Sequence, residues 1–290
     1  MGFCILASSV LFSCQNGNGT SDSIDDDGFE YTDERFADLQ MLRYKVEGFE
    51  NLTLKQKTFI YDLSEAALWG RDILFDQNGR YNLQIRDLLE LIYTDEGVDR
   101  DDENFKGMEV YLKRVWFSNG IHHHYGCEKF VPQFSEEWFR QQVSKLNTDI
   151  ADGEMNIICK VIFDPEYMAK RVNLAEGEDL LLTSAMNYYD GVSQEEAENF
   201  YGEMKSNYAD KNHPVMFGMN STLVKENGSL VEKKWVVGKG KYGQYLQKIV
   251  EYLLKAREYA EDEKQTVIRT QGFCQNACFT KKRTPCIFKS

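Results

Sequence analysis

The apolar residues of this chain recur mainly at intervals of three and four, which is typical of helices that bury one face. The clearest case follows Thr53, because Thr53 and Gln56 have the spacing of a capping box and predict a helix start. Gly70 is expected to weaken the end of this helix, ahead of a turn at residues 76–79. The stripe predicted to face the core consists of Phe59, Ile60, Leu63, Ala67 and Leu68.

Five further helices are predicted from the same periodicity. A second helix is expected to bury Leu83, Ile85, Leu88, Leu89 and Ile92. A third should end at Ser118, because Asn119 and Gly120 both tolerate a left-handed backbone. A fourth helix is predicted to begin after Ser135. A fifth is predicted to begin after Ser193, because Ser193 and Glu196 have the spacing of a second capping box. A sixth is predicted to run from Tyr242 to about Glu261.

The strongest strand signal comes late in the chain. Two β-rich runs, 217–225 and 230–237, flank Asn227-Gly228, a pair that favours tight hairpin turns. A shorter β-branched run, Ile157–Phe163, is predicted to be a strand or a buried turn. Helices dominate, so the predicted fold class is α+β and mostly helical, with a late β-hairpin.

The N-terminus has the pattern of a bacterial lipoprotein signal at residues 1–14. The apolar run Phe3–Phe12 leads into Leu11-Phe12-Ser13-Cys14, where cleavage would leave Cys14 as a lipidated first residue. Residues 15–30 are polar and acidic, so we expect a disordered tether there. The predicted location is the bacterial cell envelope, with the membrane reached through a lipid anchor at Cys14. The first residues contain no Lys or Arg, so a misassigned start, a simple secretory peptide or a cytoplasmic location stays open.

The last stretch, residues 266–290, differs in composition from the rest. It carries five basic residues and no acidic residue, although the whole chain has 47 acidic and 34 basic residues. Three of the seven cysteines lie there as well. We interpret the segment as an aberrant basic tail produced by a frameshift or a misassembled gene end, with a genuine basic tail as the alternative.

The overall charge of −13 argues against a nucleic-acid partner, whose phosphates require clustered Lys and Arg. No apolar stretch approaches the roughly 18 residues of a membrane-spanning helix. The hydrophobic fraction of 42% is enough for a substantial core. These properties leave a globular body over residues 31–265.

The most distinctive stretch runs from Tyr111 to Phe134 and reads YLKRVWFSNGIHHHYGCEKFVPQF. It contains three of the four histidines, at positions 122–124. Adjacent imidazoles on an extended loop point in different directions, whereas a zinc site needs ligands that converge. We therefore favour a shaped loop that lines a cleft over a metal site. The acidic stretch Asp95–Asn104 is likewise interpreted as a solvated edge, because it lacks the ligand spacing of a calcium loop.

The block SNGIHHHYGCEKFVP, preceded by YLKRVWF, resembles the dipeptidyl-peptidase III family of zinc exopeptidases, and its Bacteroides-type branch in particular. Further similar segments occur in the same order between Phe36 and about Gln265. They are FADLQMLRYKVEGFENLTLKQK, GRDILFDQNGRYNLQIRDLLE, GEDLLLTSAMNYYDGVSQEEAENFY and NSTLVKENGSLVEKKWVVG. The resemblance implies that this chain is the N-terminal part of the lower lobe of a two-lobed enzyme, much shorter than a full-length member.

The resemblance also implies a function and a site. The parent activity would be zinc-dependent release of N-terminal dipeptides from short peptides. The family's histidine loop reaches the substrate cleft and presents an aromatic residue there, which by position is Tyr125. We expect His124 and Asn119 to contribute to the same peptide site. The alternative for Tyr125 is a ring packed against Phe130 of its own loop.

The family's zinc motif, H-E-x-x-G-H, does not occur in this sequence, since no His is followed by Glu. His213 precedes Pro214 and has no carboxylate at motif spacing. We therefore expect no catalytic residue, no metal ligand and no cofactor in this chain, with zinc belonging to the full-length family. The favoured hypothesis is a truncated family member that is inactive alone. The alternative is a stand-alone envelope lipoprotein that binds peptides without cleaving them.

Overall fold

The computed structural model describes residues 28–146, 148–209, 216–218 and 220–262. Cys14, His213 and the segments 1–14 and 266–290 lie outside these residues, as does most of the 15–30 segment. The chain divides into two compact units, with the boundary between Glu50 and Asn51. A 3-10 helix covers Phe49–Asn51.

The N-terminal unit contains a β-hairpin that the sequence patterns did not predict. Its strands, β1 (Thr32–Phe36) and β2 (Leu39–Leu42), pair antiparallel with an irregularity in register. Both strands are short and largely solvent-exposed, so they show no alternation of buried and exposed residues for a pattern to reveal.

The second unit is mainly helical and contains the late hairpin. In it β4 (Ser221–Glu226) pairs antiparallel with β5 (Ser229–Lys234) and parallel with the very short β3 (Tyr189–Asp190), in the order β3-β4-β5. The predicted α+β, mostly helical class with a late hairpin is confirmed. The elements are α1 (Leu54–Asn78), α2 (Asn82–Thr94), α3 (Glu103–Ser118), α4 (Glu136–Lys145), α5 (Asp152–Phe163), β3 (Tyr189–Asp190), α6 (Gln194–Asn207), β4 (Ser221–Glu226), β5 (Ser229–Lys234) and α7 (Gly243–Glu258).

The helix boundaries predicted from capping chemistry are confirmed. Thr53 and Ser193 each form a complete capping box, with Gln56 and Glu196 respectively. Ser135 caps α4 by accepting a hydrogen bond from the backbone N–H of Trp138, at 3.1 Å. Local hydrogen bonds therefore determine these starts.

Two sequence predictions about helices are wrong. Helix α1 does not weaken at Gly70 but continues to Asn78, because α7 packs along it and outweighs the roughly 1 kcal/mol helix cost of one glycine. The stripe predicted for α1 is also wrong in part, since Ile60, Ala67 and Leu68 are exposed. Apolar residues are distributed around α1, so spacing alone did not identify its buried face.

The segment Ile157–Phe163 is helical, not a strand or a turn, and forms the greater part of α5. Its buried residues include Ile158, Cys159 and Ile162, whose intervals of one and three define a helix face. Strand propensity spans only about 1 kcal/mol. Burying one Ile side chain contributes about 1.5–3 kcal/mol. Packing therefore outweighs propensity here.

The main core lies among helices α2 to α5. Ile85 and Leu89 from α2 pack with residues of α3, α4 and α5 in one continuous cluster. The fully buried side chains of those three helices include Met108, Leu112, Val115, Phe139, Ile158 and Ile162. A smaller cluster joins Val192, Ala197 and Leu223 beneath the hairpin.

A buried polar network joins three distant parts of the second unit. Asp76, near the end of α1, is only 4% exposed. Its carboxylate accepts hydrogen bonds from the Tyr242 hydroxyl and from Asn187 Nδ2, the latter at 3.1 Å. Lys241 Nζ lies 2.6 Å from the same carboxylate. Asp76 therefore ties α1 to residue 187 and to the start of α7.

Over the ranges that the structure describes, no helix is both long and apolar enough to cross a membrane.

Candidate functional site: the histidine loop and an adjoining cavity

The candidate site is built on residues 121–130, which we call the histidine loop. The loop is closed at its base by a hydrogen bond of 2.9 Å from Phe130 N to Ile121 O. Nearer its tip, His123 N donates to Glu128 O at 2.7 Å, and Cys127 N donates to His123 O at 3.0 Å. The loop is therefore a hydrogen-bonded structure that can hold its side chains in fixed positions.

Asn119 holds the N-terminal end of this loop. It caps α3 in the left-handed conformation, with φ 52°, as the sequence predicted for the helix end. Its carbonyl oxygen accepts a hydrogen bond of 3.0 Å from Asn78 Nδ2. The next residues are held by Asn82, whose Oδ1 accepts from Ile121 N at 3.4 Å. Asn119 therefore fixes where the loop begins, and its expected contact with peptide stays a prediction.

Lys129 holds the C-terminal end of the loop by an interaction that sequence reasoning missed. Its ammonium group donates to the carbonyl oxygens of Val161 and Asp164 at the end of α5 and of Tyr167 just after it, with distances of 3.0 Å to Val161 and 2.7 Å to Tyr167. A cation is favourable there because the carbonyls at a helix C-terminus are partly negative. Burial of this amine lowers its pKa.

His122 points into the protein and is 2% exposed. Its Nε2 donates to the carbonyl oxygen of Met168 at 2.7 Å, so the proton resides on that nitrogen. Nδ1 is buried without a hydrogen-bond partner in the described part of the chain. The pKa of His122 is lowered from 6.5 to about 4, mainly by burial and further by the positive charges of Lys129 and Arg171. The hydrogen bond to Met168 raises the pKa but does not offset these effects. His122 is therefore a neutral anchor of the loop.

His123, His124 and Tyr125 form a set of neighbouring rings at the tip of the loop. The His123 and His124 rings stack with centroids 4.6 Å apart, and the Tyr125 ring lies 4.3 Å from that of His124. Phe117 contacts the His124 ring edge-on, with centroids 5.0 Å apart. His123 Nδ1 accepts hydrogen bonds from the backbone N–H groups of Tyr125, at 3.2 Å, and Gly126, at 3.0 Å. These contacts fix the rings relative to one another.

Tyr125 is 85% exposed, the largest exposed fraction among the large apolar and aromatic side chains that the structure describes. It rests on His124 and does not pack on Phe130, which instead contacts His123 and the guanidinium of Arg114. The alternative of a tyrosine packed on Phe130 is therefore not what the structure shows. The exposed ring is available to a ligand, but its role in binding stays a prediction.

Arg171 supports the tip of the loop from a separate segment. Its guanidinium Nη2 donates to His124 O at 2.8 Å and lies 3.7 Å from Cys127 Sγ. Its backbone N–H donates to Cys127 O at 2.9 Å, and its own carbonyl accepts from Met186 N at 3.2 Å. Arg171 thus connects the histidine loop to residue 186.

The geometry of the three histidines does not fit a zinc site. His122 Nε2 is bonded to a carbonyl, His123 Nδ1 accepts two amides, and His124 Nδ1 lies 3.5 Å from Ser118 Oγ. A zinc site requires several unengaged ligand atoms of His, Cys, Asp or Glu that converge on one point. No group of three or more His, Cys, Asp or Glu side chains suited to a metal ion occurs within residues 28–146, 148–209, 216–218 and 220–262.

An apolar cavity of about 350 Å³ lies beyond Arg171. Val172, which follows Arg171, lines it together with Met186, whose amide bonds to the Arg171 carbonyl. The other lining residues are Leu180, Leu181, Ser184, Tyr188, Tyr189, Tyr201 and Gly218. The sequence patterns gave no indication of this cavity, because it forms where the irregular stretch 172–188 meets Tyr189 of β3, Tyr201 of α6 and Gly218.

The fold and the site together define a mixed α+β protein with a rigid, aromatic-rich histidine loop and a neighbouring apolar cavity. No protein-family model matches the chain, and no curated protein matches it. Among solved structures, dipeptidyl-peptidase III (DPP III) from Caldithrix abyssi is distantly similar, with 15% sequence identity and a TM-score of 0.46. The match covers 81% of this chain and 32% of that protein, so the chain spans about a third of its length.

Proposed function

We propose that this chain is a peptide-binding lobe of the dipeptidyl-peptidase III type, with the histidine loop as its contact surface. The family assignment is supported by the ordered set of similar segments between Phe36 and about Gln265. The observation that carries the function is the exposure of Tyr125, at 85%, on a loop whose neighbouring groups are held by hydrogen bonds. An exposed ring on a rigid support loses little conformational freedom when it binds.

The surface suits a peptide for chemical reasons. The Tyr125 ring, backed by His124, offers an aromatic face to an apolar side chain or to the flat peptide group. Aromatic pairs contribute about 0.5–1.5 kcal/mol beyond the burial of their surface. The hydroxyl group of the ring can add a hydrogen bond to a peptide carbonyl or amide. Binding through one such anchor is expected to be weak.

We further propose that this chain binds peptides without hydrolysing them. The parent reaction would require a metal-activated water, and zinc supplies that chemistry in the family. Among the described histidines, His122 Nε2 and His123 Nδ1 are engaged in hydrogen bonds with the backbone, and the sequence has no H-E-x-x-G-H motif. We therefore assign no catalytic step to these residues. A truncated enzyme and a stand-alone binding protein would both behave in this way.

Replacing Tyr125 by Ala should weaken the binding of tetra-alanine roughly tenfold, as expected for the loss of about 1.4 kcal/mol. Tyr125→Phe keeps the ring and should retain most of the affinity. The measurement is calorimetric titration with the peptide. The thermal stability of both variants should match that of the original chain, because the side chain is exposed. Equal affinity in the Ala variant would show that peptides do not contact this ring.

We also propose that the protein is held at a bacterial membrane by lipid on Cys14. The support is the apolar run ending in Leu11-Phe12-Ser13-Cys14 and the polar segment after it. Cys14→Ser should move the expressed protein from the membrane fraction to the soluble fraction. Cys4→Ser is the matched control and should leave the distribution as it was. Membrane association that persists in the Cys14 variant would rule out this anchor.

A further inference from the structure

The cavity next to the histidine loop has fixed walls. The carboxylate of Asp179 accepts hydrogen bonds from the backbone N–H groups of Leu181, Leu182 and Gln194, at 2.9–3.2 Å. These bonds hold the turn that carries the leucine wall against the start of α6. The Asp179 side chain therefore holds the leucine wall in position.

Two polar side chains of the lining, Ser184 and Tyr188, have hydrogen-bond partners outside the cavity. Ser184 Oγ donates to Leu180 O at 2.6 Å and accepts from Asn173 N at 2.8 Å. The Tyr188 hydroxyl donates to Gln77 Oε1 at 3.1 Å. With these groups occupied, the surface offered to a ligand consists mainly of aliphatic side chains and tyrosine rings.

Gly218 allows the chain to pass close to the Tyr201 ring on one side of the cavity. Its backbone has φ +76°, and a Cβ there would lie 2.8 Å from Cζ of Tyr201. A larger residue would be strained by both the conformation and the contact. Tyr201 is thus held against a backbone segment and remains part of the cavity wall.

A space of about 350 Å³ is large enough to admit a small molecule. A dry apolar cavity of only ~150 Å³ can hold benzene. Binding pockets for small molecules begin at roughly 300 Å³. The cavity here reaches that range and is partly open to solvent.

We propose that this cavity binds an uncharged apolar group about the size of one aromatic ring. A charged group would lose its hydration, and in this lining it would gain no counter-charge. This proposal is independent of the proposed peptide binding, since a free ring compound can occupy the cavity whether or not Tyr125 contacts a peptide.

The first test uses three probes with the same ring, namely benzyl alcohol, benzoate and benzylammonium. Each is titrated with the full chain, and binding is measured by ligand-detected NMR. Benzyl alcohol should bind at one site, and both ions should bind at least tenfold more weakly. Equal affinity for all three probes, or no binding of benzyl alcohol, would overturn the proposal.

The second test places a larger side chain in the cavity. Val172→Phe should weaken benzyl alcohol binding at least tenfold by filling the space. Leu182→Phe adds the same group at an exposed position that does not line the cavity, and it should leave the affinity unchanged. If Val172→Phe does not fold, as judged by circular dichroism, Leu181→Phe replaces it with the same expected loss. A folded lining variant that binds as well as the original chain would contradict the assignment.

Discussion

Replacing Asp76 by Ala should lower the free energy of unfolding by roughly 3–5 kcal/mol. Asp76 accepts hydrogen bonds from the Tyr242 hydroxyl and Asn187 Nδ2 and pairs with Lys241. Without the carboxylate, two buried donors lose their acceptor, at a cost of about 1–3 kcal/mol each. Lys241 is partly exposed and can turn toward water, so it contributes less to the loss.

Urea unfolding followed by circular dichroism measures this effect. Asp190→Ala is the matched control, because it removes an ion pair with Arg80 in which both side chains are about half exposed. Such a pair contributes about 0–1 kcal/mol. The loss in the free energy of unfolding for Asp76→Asn should lie between those for Asp76→Ala and Asp190→Ala, because Asn keeps a hydrogen-bond acceptor but not the charge. A loss for Asp76→Ala no larger than that of the control would show that the network does not hold the three segments together.

The protein should lose stability on acidification between pH 6.5 and about 4 because of His122. The unfolded chain takes up a proton on this residue as the pH falls through 6.5, whereas the folded chain keeps it neutral to about 4. The unfolded state therefore binds more protons in this window, so the free energy of unfolding decreases as the pH falls. The contribution of this one group reaches up to about 3 kcal/mol at the acidic end.

The variant His122→Gln should show a smaller decrease over the same range, because it has no group that titrates at this position. His123→Gln is the matched control, since it changes the neighbouring ring and leaves the buried one in place. Free energies of unfolding from urea titrations at pH 7, 5.5 and 4 supply the comparison. If the original chain and His122→Gln have the same dependence on pH, then His122 is not buried in its neutral form.

The features that were correctly predicted depend on residues close together in sequence. The capping boxes at Thr53 and Ser193 need only the residue three positions later, and the Asn227-Gly228 hairpin needs only its turn. The prediction for Ile157–Phe163 failed because local propensity favours a strand, and only burial against helices that are distant in sequence favours a helix.

In the candidate site, too, only features set by residues close together in sequence could be predicted. The run of three histidines is visible in the sequence, yet each ring has a different environment in the structure. The position of His122 is fixed by a hydrogen bond to Met168, and that of Lys129 by carbonyl groups at the end of α5. The tip of the loop is held by Arg171. These partners lie 32 to 47 positions away, and no spacing rule connects them. The exposure of Tyr125 results from these long-range contacts. The family resemblance could suggest an aromatic residue at this position, but local sequence patterns could not predict its exposure.

The most direct test of the proposed function is calorimetric titration of the full chain with tetra-alanine, with mass spectrometry of the same mixture before and after equimolar zinc is added. Binding at a single site, with the peptide intact in both conditions, is the result we predict. Absence of binding, or release of the Ala-Ala dipeptide by the chain, would contradict the assignment of a peptide-binding lobe without catalysis.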